Sequence, residues 1–209
     1  MKKMLKFMVS LAALVAMLGF VSCSSDDDED TKPTSTPTDH ENPSDNNPTT
    51  PEQPIVDEND SFAPITVFDG TTMTAITDLP SSVERIDENG KQQVDANKKN
   101  LNNKNFTYRF KFGGKDSLKD GTHTNALKIS TGTTSPVKVI VYAMSSSKTA
   151  SGTVMAMGDG DEVTLLSNGG ESLAASEEIS VTPDKDKNIY VYASGNGNAM
   201  NIYYLYISQ

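Results

Sequence analysis

Residues 62–209 are predicted to be all-β, an antiparallel β-sandwich of jelly-roll-like topology, on three observations. Apolar side chains recur with period two, the spacing that places them on one face of a strand. Turn signals punctuate these runs at Asn89-Gly90, Gly113-Gly114, Asp159-Gly160, Asn168-Gly169-Gly170 and Gly195-Asn196-Gly197-Asn198. No segment sustains the apolar stripe of an amphipathic helix. Roughly ten to twelve short strands result, and short strands with frequent turns pack as sandwiches or barrels.

Taken in order, Val83–Asp87 and Lys91–Val94 flank Asn89-Gly90, which reads as a type I′ hairpin because both central residues of that turn need positive φ. Phe106, Tyr108, Phe110 and Phe112 alternate with Asn105, Thr107, Arg109 and Lys111, giving an aromatic face backed by a polar one. Ala126–Ile129 makes a short strand. Val137, Val139, Val141 and Ala143 alternate with Lys138, Ile140, Tyr142 and Met144, with the valines on the core side. Ile202–Ile207 is apolar or aromatic on both faces and predicts a strand buried on both.

Upstream of this domain the composition changes twice. Residues 1–22 carry Lys2, Lys3 and Lys6 and then an apolar run from Phe7 to Val21, the layout of an export signal too short to span a bilayer. Gly19-Phe20-Val21-Ser22 before Cys23 resembles a bacterial lipobox, which implies cleavage and lipidation at Cys23. The run Asp26-Asp27-Asp28-Glu29-Asp30 that follows resembles the export tag of surface lipoproteins in the Bacteroidetes group. An ordinary secretory signal with a chance cysteine is the alternative. Residues 23–61 then form the lipidated cysteine and a linker with six prolines, many Ser and Thr and almost no apolar residue before Ile55-Val56. Such a segment cannot bury enough surface to offset its ordering entropy, so it is expected to be a disordered tether. Its reach is roughly 35 Å as a flexible coil and up to about 120 Å if extended.

The charge sits mainly in that tether. Of the formal net of −10, residues 24–61 hold twelve acidic residues against one basic, Lys32, whereas residues 62–209 hold sixteen against fourteen. A nearly neutral domain gives no support to nucleic-acid binding, which needs a basic excess to displace counterions. The acidic tether is repelled by an anionic membrane surface, so membrane contact is expected through the lipid anchor only. Beyond Cys23 there is no cysteine, hence no internal disulfide and no thiolate metal site, and a domain of this length folds without either.

Three segments in order carry a further resemblance: Phe106–Gly114, then Ala126–Ile129 with Val137–Ser147, then Asn188–Ser194 with Met200–Ile207. Their strings VYAMSSS and NIYYLYI are the most specific parts. The order is similar to that of the noncatalytic β-sandwich modules appended to pectate lyases and other secreted polysaccharide-degrading proteins of Bacteroidetes. The resemblance implies a β-sandwich and a carbohydrate-linked role, not catalysis. Such modules often carry an arginine before the second segment and another after the Ser-rich loop; here Asn125 and Thr149–Thr153 stand in those places.

Enzyme chemistry is not expected. His40 lies in the tether and His123 in an Asp-Gly-Thr-His loop, where it reads as a solvated loop residue without a serine, cysteine or metal partner. No cofactor is expected. Asp159, Asp161 and Glu162 raise a calcium question, against which stands a turn capped by solvated carboxylates, since calcium needs six to eight oxygens. The ligand-binding candidates are Arg109, Lys111, Lys128, Lys138 and Tyr142. If their three strands are sheet neighbours, period-two geometry sets four cations and a tyrosine ring on one face. Cations suit uronic-acid carboxylates, and an aromatic ring suits sugar C–H groups. The ordinary reading of that face is a solvated outer sheet surface, where lysines are normal.

These features predict a lipid-anchored protein of the outer membrane, exposed at the cell surface, with a carbohydrate-binding module for an acidic, pectin-like polysaccharide. A structural or protein-interaction lipoprotein of an outer-membrane complex is the alternative. A polysaccharide lyase or hydrolase is a distant third.

Overall fold

The computed structural model describes residues 62–194 and 199–209. The expected signal peptide, Cys23, the tether and the turn Gly195-Asn196-Gly197-Asn198 lie outside the described residues. Fourteen strands form, with a 3-10 turn at Ile76–Asp78 and no α-helix among the described residues. The first half supplies β1 (Ile65–Asp69), β2 (Val83–Asp87), β3 (Gln93–Leu101), β4 (Lys104–Lys111), β5 (Leu118–Lys119), β6 (Thr122–His123) and β7 (Asn125–Ser130). The second half supplies β8 (Val137–Ser145), β9 (Ser151–Met157), β10 (Glu162–Gly169), β11 (Ala174–Ala175), β12 (Ile179–Val181), β13 (Asn188–Ser194) and β14 (Met200–Ser208).

Two antiparallel sheets make the sandwich. The larger has the order β11-β8-β14-β4-β3, with β12 also on β8 and β1 also on β14. The smaller has the order β10-β9-β13-β7-β2, and β5-β6 is a separate miniature hairpin. The chain changes sheet at β2, β3, β7, β8, β9, β11, β13 and β14, so the two sheets are interleaved along the sequence. Between the sheets lies the core: Val139, Val141, Phe110, Ile202, Leu205 and Ile207 from one side meet Leu127, Ile129, Val154, Ile189 and Val191 from the other. The predicted inward row of β8 is fully buried along Val137, Val139, Val141 and Ala143.

β14 occupies the middle of the larger sheet, with Ile202, Leu205 and Ile207 fully buried on the inner face, while Tyr204 and Tyr206 leave its outer face half-buried rather than buried as expected. One edge pairs with β8 along its length; the other is shared by β1 and β4. Gly70 makes that handover, accepting both the Thr107 and Tyr108 amides at 2.9 Å on its carbonyl. A Cβ there would stand 2.1 Å from the Tyr108 carbonyl oxygen, so only glycine lets the two strands meet end to end.

The expected hairpin at Asn89-Gly90 is not one. β2 pairs with β7 in the smaller sheet and β3 with β4 in the larger, so this turn is a corner between layers. Gly90 has φ 61° but Asn89 is not in the left-handed region, which rules out type I′. The Asp87 carboxylate closes the corner by accepting the Lys91 and Gln92 amides at 2.9 and 3.0 Å. Gln92 is then buried, and its side-chain amide donates to Asn125 Oδ1 at 2.9 Å. Asn125 in turn donates to the Phe112 and Gly114 carbonyls, both at 3.1 Å. The type I′ backbone instead occurs at Asn102-Asn103, with φ of 51° and 61°, which joins β3 to β4.

Candidate functional site

The outer face of the larger sheet carries a row of tyrosines, and a register irregularity in β14 creates it. Met200 and Ile202 point inward, as do Leu205 and Ile207, so one extra residue intervenes at Tyr203. A bulge places two consecutive residues on the same side, which puts both Tyr203 and Tyr204 outward. Tyr203 is fully buried under its neighbours: its ring lies 5.8 Å from Phe106, and its hydroxyl donates to Asn97 Oδ1 at 2.7 Å. Burial pushes that hydroxyl's pKa up to about 12, even though Arg109 pulls it down.

Over this support lie Tyr142, Tyr204 and Tyr206, each half-buried. Tyr142 and Tyr204 are cross-strand partners with ring centroids 5.5 Å apart. Tyr204 and Tyr206 are 6.1 Å apart with their planes within 16° of parallel. Phe106 braces Tyr142 edge-on at 5.9 Å. The turn between β3 and β4 reaches the same place: Asn102 Nδ2 donates to the Tyr142 hydroxyl at 3.3 Å, and Lys104 Nζ stands 3.8 Å from the centre of the Tyr204 ring. The Tyr204 hydroxyl is held above its usual range, first by burial and then by Asp69 and its two tyrosine neighbours, so it stays a neutral donor. The result is a row of three rings in which Tyr142 is tilted 63° to Tyr204, with the Lys104 ammonium over the Tyr204 ring and the Asn102 carboxamide on the Tyr142 hydroxyl.

The expected single face of cations is only partly formed. Lys138 and Tyr142 share the outer face of β8, and Lys138 lies opposite Ser208 of β14. Arg109 and Lys111 sit on β4, with β14 between that strand and β8. Lys128 is on β7 in the other sheet, which corrects the expectation that it joins them. The physical reason is the interleaved topology: after β4 the chain crosses to the smaller sheet at β7 and returns to the larger at β8. Arg109 is also engaged already, donating from Nε to Asp95 Oδ1 at 2.7 Å, while Lys111 Nζ reaches Asp95 Oδ2 at 3.3 Å. Burial raises the Asp95 carboxyl, but Arg109 and Lys111 outweigh it and hold the group below its usual range. Lys128 pairs with Glu84, its cross-strand partner, at 3.2 Å.

The three acidic candidates also separate. Asp159 and Asp161 line a polar depression with Ser180 and Thr182. Glu162 instead accepts the Tyr192 hydroxyl at 2.6 Å. Among the described residues no group of three His, Cys, Asp or Glu side chains converges to hold a metal.

His123 departs furthest from expectation. It is 3% exposed rather than solvated, because its ring is packed between Tyr190 and Tyr192 of β13, each 4.8 Å away. Its Nδ1 is 2.5 Å from Asp116 Oδ2. Sequence spacing hides this, since the partners come from a loop seven residues upstream and a strand more than sixty residues downstream. No protein-family model matches the chain, and no curated protein matches it.

Proposed function

We propose that this is a lipid-anchored protein of the outer membrane whose β-sandwich holds polysaccharide at the cell surface. The observation that supports it best is the row Tyr142, Tyr204 and Tyr206, three rings over a buried aromatic support, on an open sheet face. Such rings stack on the C–H faces of successive sugar units, and a row rather than a pocket suits a polymer over a small molecule. Lys104 and Lys138 add positive charge at the row, which favours an acidic, pectin-like chain over a neutral one. The resemblance to modules that accompany pectate lyases points the same way. The N-terminal lysines, the apolar run and Cys23 support export and lipidation, and the acidic segment supports surface exposure.

In this reading the chain is a binding protein, not an enzyme, and needs no cofactor. Arg109 and Lys128 contribute little to binding because Asp95 and Glu84 hold them, and Lys111 shares the same Asp95 carboxylate. The rival, a structural or protein-interaction lipoprotein, needs a flat apolar patch where this face offers tyrosine hydroxyls and an ammonium. Titration of the protein with polygalacturonate and with a neutral glucan, each at two ionic strengths, tests the proposal. Expected affinities fall roughly in the 10⁻³–10⁻⁵ M range, with an excess for the acidic polymer that fades as salt shortens the Debye length. Absence of binding to both polymers would reject it.

A further inference from the structure

The outer face of the smaller sheet carries a polar hollow, and strand alternation builds it. Leu127, Ile129, Ile189 and Val191 face the core, so Lys128 and Ser130 of β7 and Asn188 and Tyr190 of β13 face outward. Across the strands Ser130 is opposite Asn188, and Lys128 stands between Glu84 of β2 and Tyr190. Ser82, just before β2, extends the first row through its carbonyl, which accepts the Ser130 amide at 2.8 Å. A row of short side chains, Ser82, Ser130 and Asn188, thus lies beside a row of long ones, Glu84, Lys128 and Tyr190. The difference in length leaves a hollow of about 280 Å³, lined by Ser81, Ser82, Glu84, Lys128, Ser130 and Asn188.

Asn188 sets this hollow apart. It is 8% exposed, and its backbone is fully engaged: its amide donates to Asp184 Oδ1 at 2.8 Å, and its carbonyl accepts the Asp184 amide at 2.9 Å. Its carboxamide hydrogen-bonds no described residue, and neither do the hydroxyls of Ser81, Ser82 and Ser130. The unpartnered His123 Nε2 and Asn201 carboxamide are sealed from solvent, whereas Asn188 lines the hollow. A polar group buried to this extent loses hydration that nothing in the chain replaces.

The surrounding groups carry no net charge. Glu84 Oε2 and Lys128 Nζ are 3.2 Å apart, which leaves the second carboxylate oxygen as an acceptor and two ammonium protons as donors. The serine hydroxyls and the carboxamide both donate and accept. An anion drawn to Lys128 meets Glu84, and a cation drawn to Glu84 meets Lys128. One carboxylate is also too few oxygens for calcium. Adjacent hydroxyls on a ring donate and accept in turn, which matches this set, and the volume takes one ring rather than a chain.

We infer that this hollow binds a single neutral sugar ring through adjacent hydroxyl groups, with Ser82, Ser130 and Asn188 beneath it and the Glu84–Lys128 pair at its side. The site lies on the other sheet from the tyrosine row and stands or falls without it.

The test uses the full chain, labelled with nitrogen-15 and solubilised in a detergent without a sugar headgroup. The Asn188 side-chain amide signals, assigned through the backbone, report on the hollow directly. Glucose, galactose or mannose should move them along a saturable curve with a dissociation constant on the order of 1–10 mM. Sodium phosphate and calcium chloride should leave them in place. Ser130→Val, which sets a branched side chain into the hollow at an exposed strand position, should weaken the sugar about tenfold or more with the melting temperature kept. Glu84→Gln, on a side chain 66% exposed, should weaken it roughly three- to tenfold, and carries the test if Ser130→Val does not fold. No saturable shift with any of the three sugars up to about 50 mM would overturn the inference. So would wild-type affinity in the folded variants, or a saturable response to phosphate or calcium alone.

Discussion

Asp116 shows how one carboxylate organises a loop, and its titration is measurable. Burial raises the group, but the hydrogen bond from His123 and the amides of Asn125 and Thr124 outweigh it and hold the pKa below its ordinary value. The folded protein therefore releases this proton at lower pH than the unfolded chain does. That contribution to stability is complete above about pH 4 and is lost as the pH falls through the folded value. Asp95, held down by Arg109 and Lys111 against its burial, acts in the same direction. Melting temperature followed from about pH 7 to pH 2 should fall more steeply in the wild type than in Asp116→Asn. Parallel curves would show that Asp116 has no linkage to folding. A second residue carries the core. Val139 is fully buried between the sheets, and Val139→Asp would place an unpaired charge there, costing more than about 4 kcal/mol. A melting temperature near that of the wild type would mean that the faces of β8 are reversed. Both faces of β8 were legible in the sequence because its alternation is unbroken. His123 was not, since its burial depends on Tyr190 and Tyr192 from a distant strand.

Strand alternation is readable only where register is regular. The β8 pattern gives the correct core side at Val137–Ala143, and the β4 pattern gives it at Phe110 and Phe112 but not at Phe106, which packs against Tyr203 and Tyr142 on the outer face. The tyrosine row was hidden because the bulge at Tyr203 shifts the parity of β14 partway along, and nothing in a run of apolar and aromatic residues marks the shift. Turn chemistry misled in a related way. Asn89-Gly90 has the strongest hairpin signature in the chain, yet the tertiary pairing of β2 with β7 makes it a corner. Asn102-Asn103 takes the left-handed backbone instead and carries the rim of the row through the Asn102–Tyr142 hydrogen bond. Asn103→Gly should be neutral or stabilising by up to about 1 kcal/mol, because glycine meets no steric penalty at positive φ. Asn103→Val should be destabilising by a comparable or larger amount, and should loosen the Tyr142 contact. Equal stability of the two variants would contradict the turn assignment.

At the scale of the whole molecule, the proposed function divides the chain into an anchor, a tether and a binding domain, and each part makes its own demand. The proposed lipidation at Cys23 predicts that Cys23→Ala is released from membranes or stays unprocessed, because alanine has no thiol to carry a lipid. Full membrane partition of that variant at an unchanged mature mass would remove the anchor from the account. The all-β class and the sandwich were legible from periodicity and turns. Which strands neighbour each other was not, because the chain passes repeatedly from one sheet to the other. That is why Lys128, which sequence order groups with Lys138 and Arg109, lies in the other sheet. In the proposed function, polysaccharide rests on the tyrosine row. The most direct measurement is the affinity of polygalacturonate for the wild type, for Tyr206→Ala and for Arg109→Ala, with melting temperatures taken alongside. Loss of roughly three- to tenfold for Tyr206→Ala, with little change for Arg109→Ala and both variants folded, is the predicted result. Wild-type affinity in a folded Tyr206→Ala variant would contradict it.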